Sequence, residues 1–184
     1  MFVVLFVCTG NICRSPAAEA LLRRAVDPTV TVASAGTRGL SAQPVHPPMA
    51  RLLTEDGIDT SEFRSHWLTP EDVRDADLVL TLTAAHRAQV LEVEPLALRR
   101  TMSLGELARL ASAVPAGTVA GATDAERLGP LVRAALGLRH RFLGTDDAYD
   151  DVVDPYGLAD EVYQASYAQI NGHLDRLVTA LRTR

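Results

Sequence analysis

The chain has 184 residues, the usual size of a single domain. Hydrophobic residues make up 47% and charged residues 22%, which is typical of a globular protein with a core of its own. The formal net charge of −5 argues against nucleic acid or an anionic membrane as a partner. All basic residues are arginine, which excludes Schiff-base chemistry on lysine and a Walker-type phosphate lysine.

The cysteine content and the N-terminus indicate a cytoplasmic protein. Cys8 and Cys13 are too few for a secreted disulfide framework or a four-ligand zinc site. The apolar run Phe2 to Val7 is far shorter than the ~20 residues that span a bilayer and has no basic flank. We therefore expect no signal peptide and no membrane insertion.

The first thirty residues predict the start of a βαβ unit. Phe2 to Val7 is apolar at every position, as in a strand that is covered on both faces. A loop from Cys8 to Arg14 follows. Ser15 as a cap and Pro16 in the first turn then predict a helix that continues over Ala17 to Ala25.

Strand and helix patterns go on alternating along the chain. Further strands are predicted at Thr29 to Ala33, Asp77 to Leu82 and near Arg100 to Leu104, and helices at Pro47 to Glu55 and Ala84 to about Glu92. This order predicts an α/β fold with an open, parallel, doubly wound sheet of about four strands and helices on both faces.

The last third of the chain has a different composition. The pattern of residues 105–144 predicts an added helical segment or a lid. Its helices are predicted at Glu106 to Ser112 and Asp124 to Leu136. The acidic stretch Asp146 to Asp154 predicts a loop. Apolar positions from Ile170 to Leu181 then fall on one face of a long C-terminal helix.

The loop between the first strand and helix carries the chemistry. A loop at this place presents backbone N–H groups and the positive end of a helix, which together form an anion site. Cys8 at the strand end would be favoured there as a thiolate, and Arg14 can hold two oxygens of a tetrahedral oxyanion. Gly10 and Asn11 tolerate the positive φ of a tight loop, and Ser15 can donate a hydrogen bond to the Cys8 sulfur.

This loop, CTGNICRSP, resembles that of the low-molecular-weight protein tyrosine phosphatases of bacterial type. The resemblance continues in Ser34 to Thr37, Gly57 to Asp59 and Asp154 to Tyr156. It implies one phosphatase domain over residues 1–184 with a helical insertion at about 105–144, and hydrolysis of phosphotyrosine in proteins. No metal or cofactor is needed, because Arg14 and the loop amides stabilise the charge.

The resemblance also implies the roles of individual residues. Cys8 would form a phosphocysteine intermediate, Arg14 would hold the phosphoryl group, and Asp154 would be the general acid. Spacing alone does not separate Asp154 from the other acidic residues of its stretch, which we expect to be solvated. Residues expected to contact phosphate or substrate are Thr9, Gly10, Asn11, Ile12, Cys13, Ser15 and Tyr156, and Ser34 is expected to support the loop.

Three positions depart from the family pattern. Phe63 stands where a histidine often supports the loop, and we expect the nearby His66 to lie at the surface rather than replace it. Leu40 stands near a position that is commonly aromatic, and Gly157 stands where a second aromatic residue is frequent. Tyr156 and Ile12 therefore remain as the contacts for a substrate ring.

Several alternative functions share this loop. Protein arginine phosphatases resemble the family but carry threonine where this chain has Ile12, which favours tyrosine. Thiol-dependent arsenate reductases need further cysteines or an external thiol. A catalytically silent phosphate-binding module would lack Cys8, Arg14 or the acid. The sequence leaves the oligomeric state open.

Overall fold

The computed structural model describes residues 1–38, 42–142 and 150–183. Within these ranges the chain forms one parallel sheet of four strands in the order β2-β1-β3-β4. The strands are Phe2–Cys8 (β1), Val30–Gly36 (β2), Leu78–Thr81 (β3) and Thr101–Ser103 (β4). The prediction of an open parallel α/β sheet is confirmed.

Helices surround this sheet. They are Arg14–Ala25 (α1), Pro47–Glu55 (α2), Pro70–Asp75 (α3), Ala84–Val93 (α4), Leu104–Ala111 (α5), Asp124–Gly137 (α6) and Asp160–Arg182 (α7), with short 3-10 helices at Pro95–Arg100 and Arg139–Phe142. The sequence reasoning missed α3. A capping box marks its start, because Thr69 Oγ1 accepts from the N–H of Asp72 and the Asp72 carboxylate accepts from that of Thr69.

The central strand β1 is covered on both faces. Val4 and Phe6 belong to a large cluster that includes side chains of α1, α5, α6 and α7. Leu5 and Val7 point to the other face and pack in a smaller cluster with Val73 of α3. The uninterrupted apolar run of β1 follows from this double burial.

Helices α5 and α6 belong to the large cluster. Leu107 of α5 and Leu131 of α6 are fully buried, and Leu174 of α7 lies in the same cluster. These helices are thus a packed part of the core. The division into a single domain with a helical insertion at 105–144 stays a prediction.

Two boundaries differ from the sequence prediction near the loop. Helix α1 begins at Arg14, and Ser15 lies inside it instead of capping it. Strand β2 extends to Gly36, because Ala35 and Gly36 continue the pairing with Val7 and Cys8. Among the described residues, no helix is both long and apolar enough to cross a membrane.

Candidate active site

The loop from Cys8 to Arg14 joins the carboxyl end of β1 to the first turn of α1. Asn11 adopts a φ of 51°, as expected for a tight loop. The same expectation for Gly10 is wrong, because its φ is not positive. A side chain at Gly10 would meet Ile12 only at ordinary contact distance, so neither space nor backbone strain requires glycine there.

The backbone N–H groups of this loop are available to a ligand. In the described part of the chain, no protein group accepts a hydrogen bond from the N–H of residues 9–15. Several unpaired N–H groups in one loop, next to the start of α1, form an anion site.

Buried side chains hold the loop from within. Ser15 Oγ lies 3.0 Å from the Cys8 sulfur, and Asn11 Nδ2 donates to Ser15 Oγ at 2.9 Å and to Ser34 Oγ at 2.7 Å. Asn11 and Ser15 are fully buried. A serine hydroxyl at this distance can stabilise a thiolate and later a departing sulfur.

A carboxylate extends this network. Ser34 Oγ donates to Glu19 Oε2 at 2.5 Å, and the other Glu19 oxygen pairs with Arg23. The His66 backbone N–H donates to Asn11 Oδ1 at 2.8 Å. The His66 side chain is about half exposed and pairs with Asp72, which confirms the prediction of a surface histidine.

Gly36 at the end of β2 lets the neighbouring chain approach the loop closely. A Cβ at this position would lie 2.7 Å from the carbonyl oxygen of Thr9 and 3.0 Å from atoms of Asn11. The N–H groups of Thr37 and Arg38 donate to the carbonyls of Cys8 and Thr9, each at 2.9 Å. A side chain at Gly36 would therefore push the loop away from β2.

Arg14 forms an ion pair with Asp154, which lies 140 positions later in the sequence. The buried Arg14 donates from Nη2 to Asp154 Oδ2 at 2.6 Å and from Nη1 to the carbonyl of Val152 at 3.4 Å. The Asp154 side chain is about half exposed. A fixed cation and an exposed carboxyl are thus placed together.

A cavity of about 220 Å³ opens above the loop. Ile12 is among its lining residues, as are Tyr156 and Arg38, which are both exposed. The ring of His46 contacts the Tyr156 ring edge-on, with centroids 5.4 Å apart. The full lining is Cys8, Thr9, Gly10, Ile12, Cys13, Arg14, Arg38, Asp154 and Tyr156.

Comparisons with known proteins agree with this geometry. The family model for low molecular weight phosphotyrosine protein phosphatase matches residues 3–112. The chain belongs to this family. The low molecular weight protein-tyrosine-phosphatase Etp of Escherichia coli K12 is 40% identical over 103 residues, which are 56% of this chain and 69% of that protein.

Other relatives match over nearly the whole length of the chain. A protein-arginine-phosphatase of Geobacillus stearothermophilus is 31% identical over 180 residues, which cover 98% of this chain and 96% of that protein. The solved structure of YwlE arginine phosphatase from the same organism is 30% identical, with a TM-score of 0.71, and the match covers 100% of this chain and 94% of that one. The chain is thus similar both to low molecular weight tyrosine phosphatases and to arginine phosphatases.

The second cysteine of the phosphatase loop has a different environment from that of a nucleophile. Burial, with the charge of Cys8 as the next cause, raises the pKa of Cys13 to about 12. Cys13 therefore stays a neutral thiol, and Cys8 and Cys13 are both free.

The acidic stretch is less exposed than expected. The expectation of a solvated side chain is wrong for Asp150, which is buried and pairs with Arg109 at 2.5 Å. Asp151 is half-buried, and its carboxylate accepts from the Ala84 N–H in the first turn of α4 at 2.7 Å. Asp146, Asp147 and Leu40 lie outside the described residues.

Two polar residues of the site were missed by the sequence reasoning. Glu19 supports Ser34, and the i, i+4 pair of Glu19 and Arg23 on α1 is a signal only for a surface ion pair. His86 on α4 lies 2.9 Å from Thr9 through Nε2. Nothing in the sequence near His86 connects it with the loop.

Proposed function

We propose that this family member is a phosphotyrosine protein phosphatase that works through a phosphocysteine on Cys8. The observation that carries the proposal is the convergence of Cys8, Arg14 and Asp154 on one cavity, beside loop amides that no group of the described residues accepts from. A nucleophile, an anion clamp and a proton donor are the groups that transfer of a phosphoryl group requires.

In the first step the Cys8 thiolate attacks phosphorus, and the bond from phosphorus to the tyrosyl oxygen breaks. Two phosphoryl oxygens would accept hydrogen bonds from the Arg14 guanidinium, which also donates to the Val152 carbonyl. The phosphoryl group would thereby replace Asp154 as the partner of Arg14. A bound dianion favours the protonated form of a neighbouring carboxyl, so Asp154 can donate its proton to the leaving oxygen.

In the second step a water molecule attacks phosphorus and the bond from phosphorus to sulfur breaks. Asp154, now a carboxylate, takes a proton from that water, and inorganic phosphate forms. Cys8 leaves as a thiolate, which the Ser15 hydroxyl at 3.0 Å can stabilise. The network through Asn11 and Ser34 keeps Ser15 in place during both steps.

The walls of the cavity favour an aromatic substrate. Ile12 supplies an apolar surface, and Tyr156, in edge-on contact with His46, supplies a ring on which a phenyl group can pack. An aliphatic wall has no hydrogen-bond acceptor for the guanidinium of phosphoarginine. Hydrolysis of phosphoarginine remains the alternative, because the match to an arginine phosphatase covers 98% of the chain.

We place the enzyme in the cytoplasm with a phosphoprotein as its substrate. A reducing compartment keeps Cys8 free of oxidation, as the attack of its thiolate in the first step requires.

The proposal is tested by turnover of matched phosphotyrosine, phosphoarginine and phosphoserine peptides. We expect the wild type to prefer phosphotyrosine and Cys8→Ser to lose turnover but keep phosphate binding. Cys13→Ser is the matched control, because it changes the other thiol of the same loop, and it should retain turnover that Cys8→Ser loses. A wild-type preference for phosphoarginine would select the alternative, and residual turnover in Cys8→Ser would contradict the mechanism.

A further inference from the structure

Thr9 connects the phosphatase cavity with a buried histidine. Its side chain is half-buried and lines the cavity beside Cys8. Its hydroxyl lies 2.9 Å from Nε2 of His86. Thr9 is the first residue after the nucleophile, so a change in its position changes the loop where phosphate would bind.

Each ring nitrogen of His86 lies within hydrogen-bond distance of a threonine hydroxyl. It lies in the first turn of α4 and is only 4% exposed. Nδ1 lies 2.9 Å from Oγ1 of Thr83, the residue that caps α4. Burial, with the Arg14 charge as the next cause, lowers the pKa of His86 to about 4. The imidazole is therefore neutral and carries a single N–H.

Two arrangements of the protons satisfy this chain of hydrogen bonds. Thr83 Oγ1 already accepts from the backbone N–H of His86 at 3.2 Å. In the first arrangement Thr83 donates to Nδ1, and the Nε2–H of His86 donates to Thr9. The hydroxyl proton of Thr9 is then free to point into the cavity. In the second arrangement, the Nδ1–H of His86 donates to Thr83, and the Thr9 hydroxyl donates its proton to Nε2.

When an anion occupies the cavity, the two arrangements of protons differ in energy. In the second, Thr9 would present only lone pairs to a negatively charged oxygen, which is repulsive. In the first, Thr9 can donate a charge-assisted hydrogen bond to that oxygen. In the first arrangement the Thr83 hydroxyl also has an acceptor, Nδ1 of His86. No other group among the described residues accepts from this hydroxyl.

We propose that His86 is a positioning residue whose Nε2–H, donated to Thr9, directs the Thr9 hydroxyl proton to an oxygen of the bound phosphoryl group. The inference rests on the proposed function, since it needs a tetrahedral oxyanion in the cavity. It adds the Thr9 side chain to the groups that bind the anion. No covalent bond is made or broken in this role.

The direct test is the tautomer of His86 in the presence of inorganic phosphate, read by nuclear magnetic resonance of protein labelled with ¹⁵N in histidine. His86→Phe assigns the signal, because the chain has five histidines. We expect a proton on Nε2 and none on Nδ1. A proton on Nδ1 with phosphate bound overturns the inference.

The second test is competitive inhibition by inorganic phosphate. Loss of a hydrogen bond to a charged group should raise the Ki of Thr9→Val about tenfold or more, and Thr9→Ser should restore it. His86→Phe should raise the Ki as well, and the double variant should bind phosphate no more weakly than Thr9→Val. An unchanged Ki in Thr9→Val, or losses that add in the double variant, contradict the inference.

The two proposals fail in different ways. Absence of phosphate inhibition in the wild type would overturn the proposed function and this inference together. If phosphate inhibits the wild type normally and the Ki of Thr9→Val is unchanged, only the inference about His86 is overturned and the proposed function stands. If His86→Phe does not fold, His86→Gln assigns the signal instead, and the tautomer of the wild type and the comparison of Thr9→Val with Thr9→Ser still decide.

Discussion

Replacing His86 by glutamine should change how the stability of the phosphatase depends on pH. The buried imidazole has a pKa of about 4, against 6.5 for an ordinary histidine. Between these two values the unfolded chain binds a proton that the folded chain does not. The folded state therefore loses stability as the pH falls through this window, and histidine contributes no such loss above pH 6.5.

The size of the effect follows from the shift in pKa. Each pH unit of difference between the folded and unfolded pKa corresponds to about 1.4 kcal/mol. Between pH 7.5 and pH 4, the free energy of unfolding of the wild type should therefore fall by about 3 kcal/mol more than that of His86→Gln. Glutamine does not titrate, and the other ionisable groups contribute equally to both proteins.

The assay is urea denaturation at half-unit pH steps, followed by circular dichroism. His86→Phe serves as a second variant that does not titrate, and the difference between wild type and variant should have the same slope with pH even if its baseline stability is lower. Parallel pH profiles for wild type and both variants would refute the assignment of a buried neutral imidazole at His86.

Three further predictions concern the phosphatase loop and the acid. Asp154→Asn should slow hydrolysis of phenyl phosphate by roughly 10² to 10⁴-fold and of an ester with a good leaving group by less, whereas Asp151→Asn, which keeps an oxygen to accept from the Ala84 N–H, should not show this leaving-group dependence. The reverse pattern would identify Asp151 as the acid. Ile12→Thr should raise the ratio of phosphoarginine to phosphotyrosine turnover, measured on matched peptides, and an unchanged ratio would count against the apolar wall. After peroxide treatment, dithiothreitol should restore more activity to the wild type than to Cys13→Ser, because Cys13 can trap a Cys8 sulfenate as a disulfide; equal recovery would leave Cys13 a packing role.

The phosphate loop could be predicted because its signals are local. A buried strand, the residues from Cys8 to Arg14 and a helix follow one another within 25 residues, and the carboxyl edge of a parallel sheet is a general site for ligands. The capping box at Thr69 was equally local and was overlooked.

The residues that the sequence reasoning missed or misjudged depend on distant partners. His86 meets Thr9 across 77 positions, and Asp150 meets Arg109 across 41. Asp154 was selected by family resemblance, since nothing in its own stretch shows that Arg14 lies beside it. Such contacts arise from the order of the strands, which brings separate loops to one edge of the sheet.

In the proposed mechanism, Cys8 carries the phosphoryl group during turnover. The most direct measurement is rapid acid quenching of Asp154→Asn during hydrolysis of a phosphate ester with a good leaving group, whose first step does not need the Asp154 proton, followed by peptide mass spectrometry, with Cys8→Ser as the control. The second step needs Asp154 as a base, so the intermediate should accumulate in this variant. We predict one phosphoryl group on the peptide that contains residues 8–14, localised to Cys8. A phosphoryl group on another residue, or no phosphoenzyme while turnover continues, would contradict this mechanism.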